Sequence, residues 1–435
     1  MKTSRIKTAS LGLQHVLAMY AGAVIVPLIV GGALGLTPEQ LTYLVSIDIL
    51  MCGIATFLQV YKGKAFGIGL PVVLGCTFTA VGPMIAIGGS YGISAIYGAI
   101  ISSGLFVLLV SSFFSKLVRY FPPVVTGSVV TIIGITLIPV AMNNMAGGVG
   151  SPDFASLPNI GLAFATLFLI IGLYRFFKGF IRSIAVLIGL LAGTVLAFFM
   201  GKVDFTPVKD ASWFHMAQPF YFGTPTFEWT AILTMILVAM VSLVESTGVY
   251  FAVADICNEK IKEKDLAKGY RSEGLAILFG GLFNAFPYTA FSQNVGLMQM
   301  SGVKSKNVIY YTAAFLIILG FVPKIGAFTT IIPPAVLGGA MVAMFGMVVA
   351  QGIKMLSQVD LTSQENLLII ACAVGMGLGV TVVPDLFSSL PKSLQILTGN
   401  GIVAGSMTAI VLNIVFNEIG QKQKRVIKLN EQRVS

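Results

Sequence analysis
The stretch LVESTGVYFA, residues 243–252, sets a glutamate near the middle of a long apolar run. A carboxylate at that depth is costly, so Glu245 reads first as a functional group. It is suited to accepting N–H bonds and to taking up or releasing a proton. A second polar point lies in FSQNVG, where Ser292, Gln293 and Asn294 follow Pro287. A carboxamide offers one donor and one acceptor side, which matches a ring edge of alternating N–H and C=O groups. The same pair would serve equally as a hydrogen-bonded tie between helices. His15, in LQHVLAM, fits either a satisfied structural bond or support of the site. Glu273, in RSEGLAILFGG, is expected near the end of its span and partly buried, and Asp48 is ambiguous. The four cysteines lie in or beside apolar runs without metal-ligand spacing and read as small buried hydrophobes. No nucleophile with a base, metal site, cofactor motif or nucleotide-binding loop is found, so an enzyme is not expected.

These residues need a membrane scaffold to hold them. Of the 435 residues, 56% are hydrophobic and only 10% charged, with mean hydropathy +0.91. A soluble domain carries about a quarter charged residues. Fourteen apolar segments recur, so the chain reads as an all-α polytopic membrane protein. The third (66–88), ninth (270–286) and tenth (288–301) are short or interrupted. The net charge of +10 does not point to nucleic acid, because the basic residues sit in short loops. Of the 27 Lys and Arg, only Lys202, Lys209, Lys324 and Lys392 fall in the loops on one side. That asymmetry predicts both termini in the cytoplasm, with a basic cytoplasmic tail at 421–435. The N-terminal apolar run reaches about Leu36, too long for a cleaved signal, and is read as the first span.

The chain repeats itself. FPPVVTG at 121–127 matches IPPAVLG at 332–338, an offset of 211, and LPVVLGCTFTAVG at 70–82 shares its proline with FPYTAFSQNVGLM at 286–298, an offset of 216. Both pairs fall seven spans apart. Seven is odd, so equivalent spans cross in opposite directions, giving a 7+7 inverted repeat. Spans 3 and 10 each combine proline with β-branched residues. Each is expected to contain a short extended piece and then a half-helix, starting near Thr77 or Ser292. Backbone unpaired at that depth must line a cavity or be buried in protein.

QNVGLMQMSG resembles the motif of the nucleobase-ascorbate transporter family (nucleobase:cation symporter-2). Gln293, Asn294, Gly296 and Gly302 fit, and Ser301 keeps the hydroxyl of the usual threonine. Gln14–His15, VESTG around Glu245 and SEGL around Glu273 occur in the family in the same order, and the likeness covers the whole chain. The resemblance is closest to bacterial xanthine-transporting members. It implies a core domain of spans 1–4 and 8–11 (1–115 and 228–323) that holds the substrate. It also implies a gate domain of spans 5–7 and 12–14 (116–202 and 324–420) that forms a homodimer. It assigns substrate contacts to Glu245, Gln293 and the backbone near Phe78, with Ser292 and Asn294 beside them. Proton coupling or site support then falls to Glu245, Glu273 and His15. The implied activity is proton-driven import of xanthine, and of uric acid as a weaker substrate, across the plasma membrane. Uracil permeases of the family carry histidine one turn after the glutamate, whereas this chain has Val249, which argues against a uracil site. A uracil permease stays an alternative beside an anion exchanger or channel on the same fold, and the carboxylate of Glu245 opposes the latter.

Overall fold
A computed structural model describes residues 5–117, 121–391, 394–395 and 398–419; the expected basic tail at 421–435 lies outside the described residues. The first half comprises α1 (Arg5–Ala33), α2 (Pro38–Val60), β1 (Leu74–Cys76), α3 (Val81–Tyr91), α4 (Ile93–Leu117), α5 (Pro123–Met145), α6 (Leu157–Phe176), α7 (Phe180–Ser183) and α8 (Ala185–Phe199). A short helix, α9 (Thr206–Asp210), lies in the connection. The second half comprises α10 (Trp229–Cys257), α11 (Glu263–Leu282), β2 (Tyr288–Ala290), α12 (Ser292–Ser301), α13 (Lys306–Gly320), α14 (Pro323–Thr330), α15 (Pro334–Leu356), α16 (Gln364–Val382) and α17 (Gly401–Asn413).

Among the described residues, eight helices are long and apolar enough to cross a membrane. The other six crossings each depart from a single long apolar helix. The pair α13–α14 passes only when taken together, bent by 79°, and α8 and α17 are shorter apolar helices. Spans 3 and 10 are broken, each a three-residue strand followed by a half-helix. The remaining crossing is α11, which the sequence reading took as short. It is a continuous helix of 20 residues whose first two turns, EKDLAKGYR, are charged, so hydropathy hides where it starts. Glu273 therefore lies mid-helix and fully buried, not near an end.

Spans seven apart correspond: α1 with α10, α2 with α11, β1–α3 with β2–α12, α4 with α13, α5 with α15, α6 with α16 and α8 with α17. The fold is a fourteen-span, 7+7 inverted repeat. Local chemistry sets the helix ends. Thr37 and Gln40 form a reciprocal capping box ahead of α2, with Pro38 at the first helical position. Asn258 ends α10 in the left-handed region. After α8, Lys202 donates to Asp153 (2.6 Å) and Asn159 (2.7 Å), and with Ser151 it holds the Asp153 carboxyl down at about 2.

Packing divides the chain into two compact units. Met1–Ser115 and Leu137–Met344 form one, and it contains every site residue named above; Lys116–Thr136 and Phe345–Ser435 form the other. In the larger unit, α13 lies against α2 closely enough that a side chain at Gly320 would collide with Leu50. Such close backbone approach is how helices associate in lipid, where apolar burial gives no drive. In the smaller unit, α16 packs on α17, and Asn417 donates to Asn366 at 3.2 Å.

Candidate substrate site
The centre of the site is the pair of strands. β1 and β2 run antiparallel, with Leu74 opposite Ala290, Gly75 opposite Thr289 and Cys76 opposite Tyr288. The ladder continues beyond both strands, through Phe291 N–H to Val73 O (3.0 Å) and Thr77 N–H to Pro287 O (2.9 Å). Helix side chains take up what the ladder leaves over. Leu74 N–H donates to Thr56 Oγ1 (3.1 Å) and Ala290 N–H to Ser246 Oγ (3.0 Å). All six strand residues are buried. Extended backbone at this depth survives because its polar groups are satisfied within protein.

Each strand leads into a half-helix. After β1, Thr77 Oγ1 caps Thr79 N–H (3.2 Å) at a short 3₁₀ turn, Phe78–Ala80, and α3 follows at Val81. After β2, α12 begins at Ser292 with no side-chain cap from Phe291, leaving its first N–H groups without an intrahelical partner. The rings of Phe78 and Phe291 lie nearly parallel beside the break, with centroids 6.4 Å apart and planes 13° apart. The Phe291 ring rests on Gly75, where a Cβ would lie 2.5 Å from the ring.

One face of α10 reads both breaks. Positions i, i+3 and i+4 share a helix face, and here they are Ser242, Glu245 and Ser246. Ser242 Oγ lies 3.3 Å from Thr77 Oγ1, Glu245 Oε2 accepts from Thr79 Oγ1 (3.3 Å), and Ser246 Oγ lies 3.1 Å from Thr289 Oγ1. Glu245 itself is half-buried.

The residues of FSQNVG divide. Ser292 is exposed and Gln293 half-buried, and the Gln293 amide makes no hydrogen bond among the described residues. Asn294 is buried and donates through Nδ2 to both the carbonyl and Nδ1 of His15, each at 3.1 Å. A carbonyl only accepts, so Nδ2 is the donor, and the His15 ring proton sits on Nε2. Asn294 and His15 thus tie α12 to α1.

Glu273 stands in a second buried chain, within reach of Ser246 and Glu245. Gln59 Nε2 donates to the Tyr250 hydroxyl, which donates to Glu273 Oε1. Glu273 Oε2 and Gln59 Oε1 are buried without a partner. Sequence reading missed Thr79, Ser242, Ser246, Thr289, Phe291 and Tyr250. The i, i+3, i+4 pattern of polar residues around Glu245 was a usable signal for two of them, and the aromatic before each half-helix for another. No group of three or more His, Cys, Asp or Glu able to hold a metal ion occurs among the described residues.

A permease-family model matches residues 6–386. The chain is 68% identical over 418 residues to the xanthine permease of Bacillus subtilis (strain 168), covering 96% of this chain and 95% of that protein. It is 66% identical over 406 residues to the uric acid permease PucK of the same organism, covering 93% and 94%. Among solved structures, the transmembrane domain of the cyanobacterial bicarbonate transporter BicA matches with TM-score 0.65 at 14% identity. That match covers 91% of this chain and 98% of that one, a likeness of fold.

Proposed function
This chain belongs to the nucleobase-ascorbate transporter family and is a nucleobase transporter of the membrane, and we propose that it imports xanthine by proton symport. The observation that carries the reading is the presence, in the same compact unit and at two strand-to-half-helix breaks, of a half-buried Glu245 and a Gln293 amide that has no partner among the described residues. Oxidised purines present ring N–H groups and carbonyls along one edge. Ionised Glu245 accepts ring N–H bonds, Gln293 gives one donor and one acceptor, and the uncapped start of α12 at Ser292 adds backbone N–H groups. Phe78 supplies an aromatic face for the planar ring. The names of the two Bacillus relatives, a xanthine and a uric acid permease, favour an oxidised purine over uracil. So does Val249, which offers no ring nitrogen.

In this reading Glu245 carries the coupled proton, and the buried chain through Glu273 and Tyr250 supports it from the next helix. Asn294 and His15 position α12. Spans 1–4 and 8–11 act as a substrate-holding core and spans 5–7 and 12–14 as a gate that dimerises, a division by movement rather than by packing density. The protein works in the plasma membrane with both termini in the cytoplasm. The test is uptake of labelled xanthine by cells expressing the chain, challenged with unlabelled purines and pyrimidines and with a protonophore. Inhibition by xanthine and uric acid, little by uracil, and collapse on adding the protonophore are expected. Uptake indifferent to the protonophore removes the symport.

A further inference from the structure
Asp48 is fully buried in α2, and Oδ1 accepts the backbone N–H of Phe286 at 2.7 Å, across 238 residues of sequence. Phe286 directly precedes Pro287 and β2, and Pro287 O is itself part of the strand ladder. From Phe286 the chain runs six residues to Ser292 and seven to Gln293. The same helix carries Thr56, two turns further on, whose hydroxyl holds the N–H of Leu74 at the start of β1. α2 is therefore a rail to which both broken spans are pinned, the first by a hydroxyl and the second by a carboxyl. We propose that Asp48 is a positioning residue for transport: by holding Phe286 N–H it sets the height at which β2 delivers Gln293 to the substrate.

The bond needs an acceptor oxygen on a two-carbon arm, not a charge. The carboxyl meets the thiol of Cys76 on β1; among the described residues Asp48 Oδ2 has no N–H or O–H partner, and neither do the hydroxyls of Tyr97 on α4 and Tyr288 on β2, both within electrostatic reach of the carboxyl. An asparagine would keep the Phe286 bond through its oxygen and turn its NH₂ toward hydroxyl oxygens that have room to accept. A glutamate would push the oxygen out by one methylene and displace the strand start.

The inference rests on the transport reading above, so the test has one readout that needs substrate and one that does not. Asp48→Asn and Asp48→Glu are made in the full chain, with and without Ser292→Cys as a reporter at the exposed start of α12. Asp48→Asn should keep xanthine KM within about twofold, whereas Asp48→Glu should raise it about tenfold, the scale of one disturbed buried bond. Maleimide labelling of position 292 in membranes should follow the same order, unchanged in Asn and altered in Glu. If Asp48→Glu does not reach the membrane, Asp48→Ser, which withdraws the oxygen, takes its place. Loss of uptake in Asp48→Asn equal to that in Asp48→Glu overturns the proposal, because the carboxyl then does something an amide cannot. Wild-type KM and labelling in Asp48→Glu overturn it as well. Failure of the wild-type chain to take up xanthine sinks only the substrate assignment, since labelling still reads the position of α12.

Discussion
Gln293 and Asn294 are neighbours in sequence but about 100° apart around α12, and that rotation separates two jobs. Asn294 is spent on His15, while Gln293 has no partner among the described residues. Changing Gln293 to Glu replaces a donor-and-acceptor amide with an acceptor, leaving a purine carbonyl without a partner. A buried unpaired group costs about 1–3 kcal/mol, so xanthine affinity should fall by roughly one to two orders of magnitude. Inhibition constants for a panel of analogues before and after substitution measure it, and an unchanged constant would make Gln293 a bystander. Glu245→Gln should nearly abolish uptake with the protein still in the membrane, and wild-type rates in vesicles would remove Glu245 from the coupling. The candidate residues were legible because ionisable and amide groups are rare in such apolar runs. Their partners were not. Nothing in the sequence says that Asn294 turns to His15, since that depends on how α12 rotates against α1.

At the scale of elements, the breaks in spans 3 and 10 could be read from proline and β-branched residues, and α12 begins at Ser292 as expected. The first half-helix differs, because Thr77 caps a 3₁₀ turn and α3 waits until Val81. What the sequence did not disclose was that β1 and β2 pair with each other, because pairing joins segments 216 residues apart. α11 was misjudged for a plainer reason: charged residues open a helix that is afterwards largely buried. The Ser246 hydroxyl holds Ala290 N–H and also meets Thr289. Ser246→Ala should therefore strand a buried N–H and lower stability by about 1–3 kcal/mol. Thermal unfolding in detergent would report this as a lower apparent Tm. No shift would mean that water or backbone movement replaces the bond.

At the scale of the whole molecule, the inverted repeat was visible in two short matches at nearly one offset, because proline and small residues mark the same breaks in each half. Orientation in the membrane rests on loop charge. Cysteines placed at positions 178 and 262 should be shielded from an impermeant thiol reagent in intact cells, and one at position 215 should react. Reaction at 178 with protection at 215 would turn the molecule over. How densely each part packs was beyond sequence reading. The boundaries of the compact units fall at the end of α4 and inside α5 and α15, helices that look uniform in composition.

The strand pair also bears on how the protein is made. β1 emerges from the ribosome more than 200 residues before its partner, and until then the N–H and C=O groups that face β2 have no counterpart in the bilayer, Thr56 holding only Leu74. At about 5–20 residues per second, the first half waits roughly ten to forty seconds for a mate that only the second half carries. A nascent chain in that interval must keep its third span shielded, by the insertion machinery or by staying out of the lipid. The N-terminal half expressed alone should therefore be cleared by proteases, and synthesis of the C-terminal half in the same cell should prolong its lifetime.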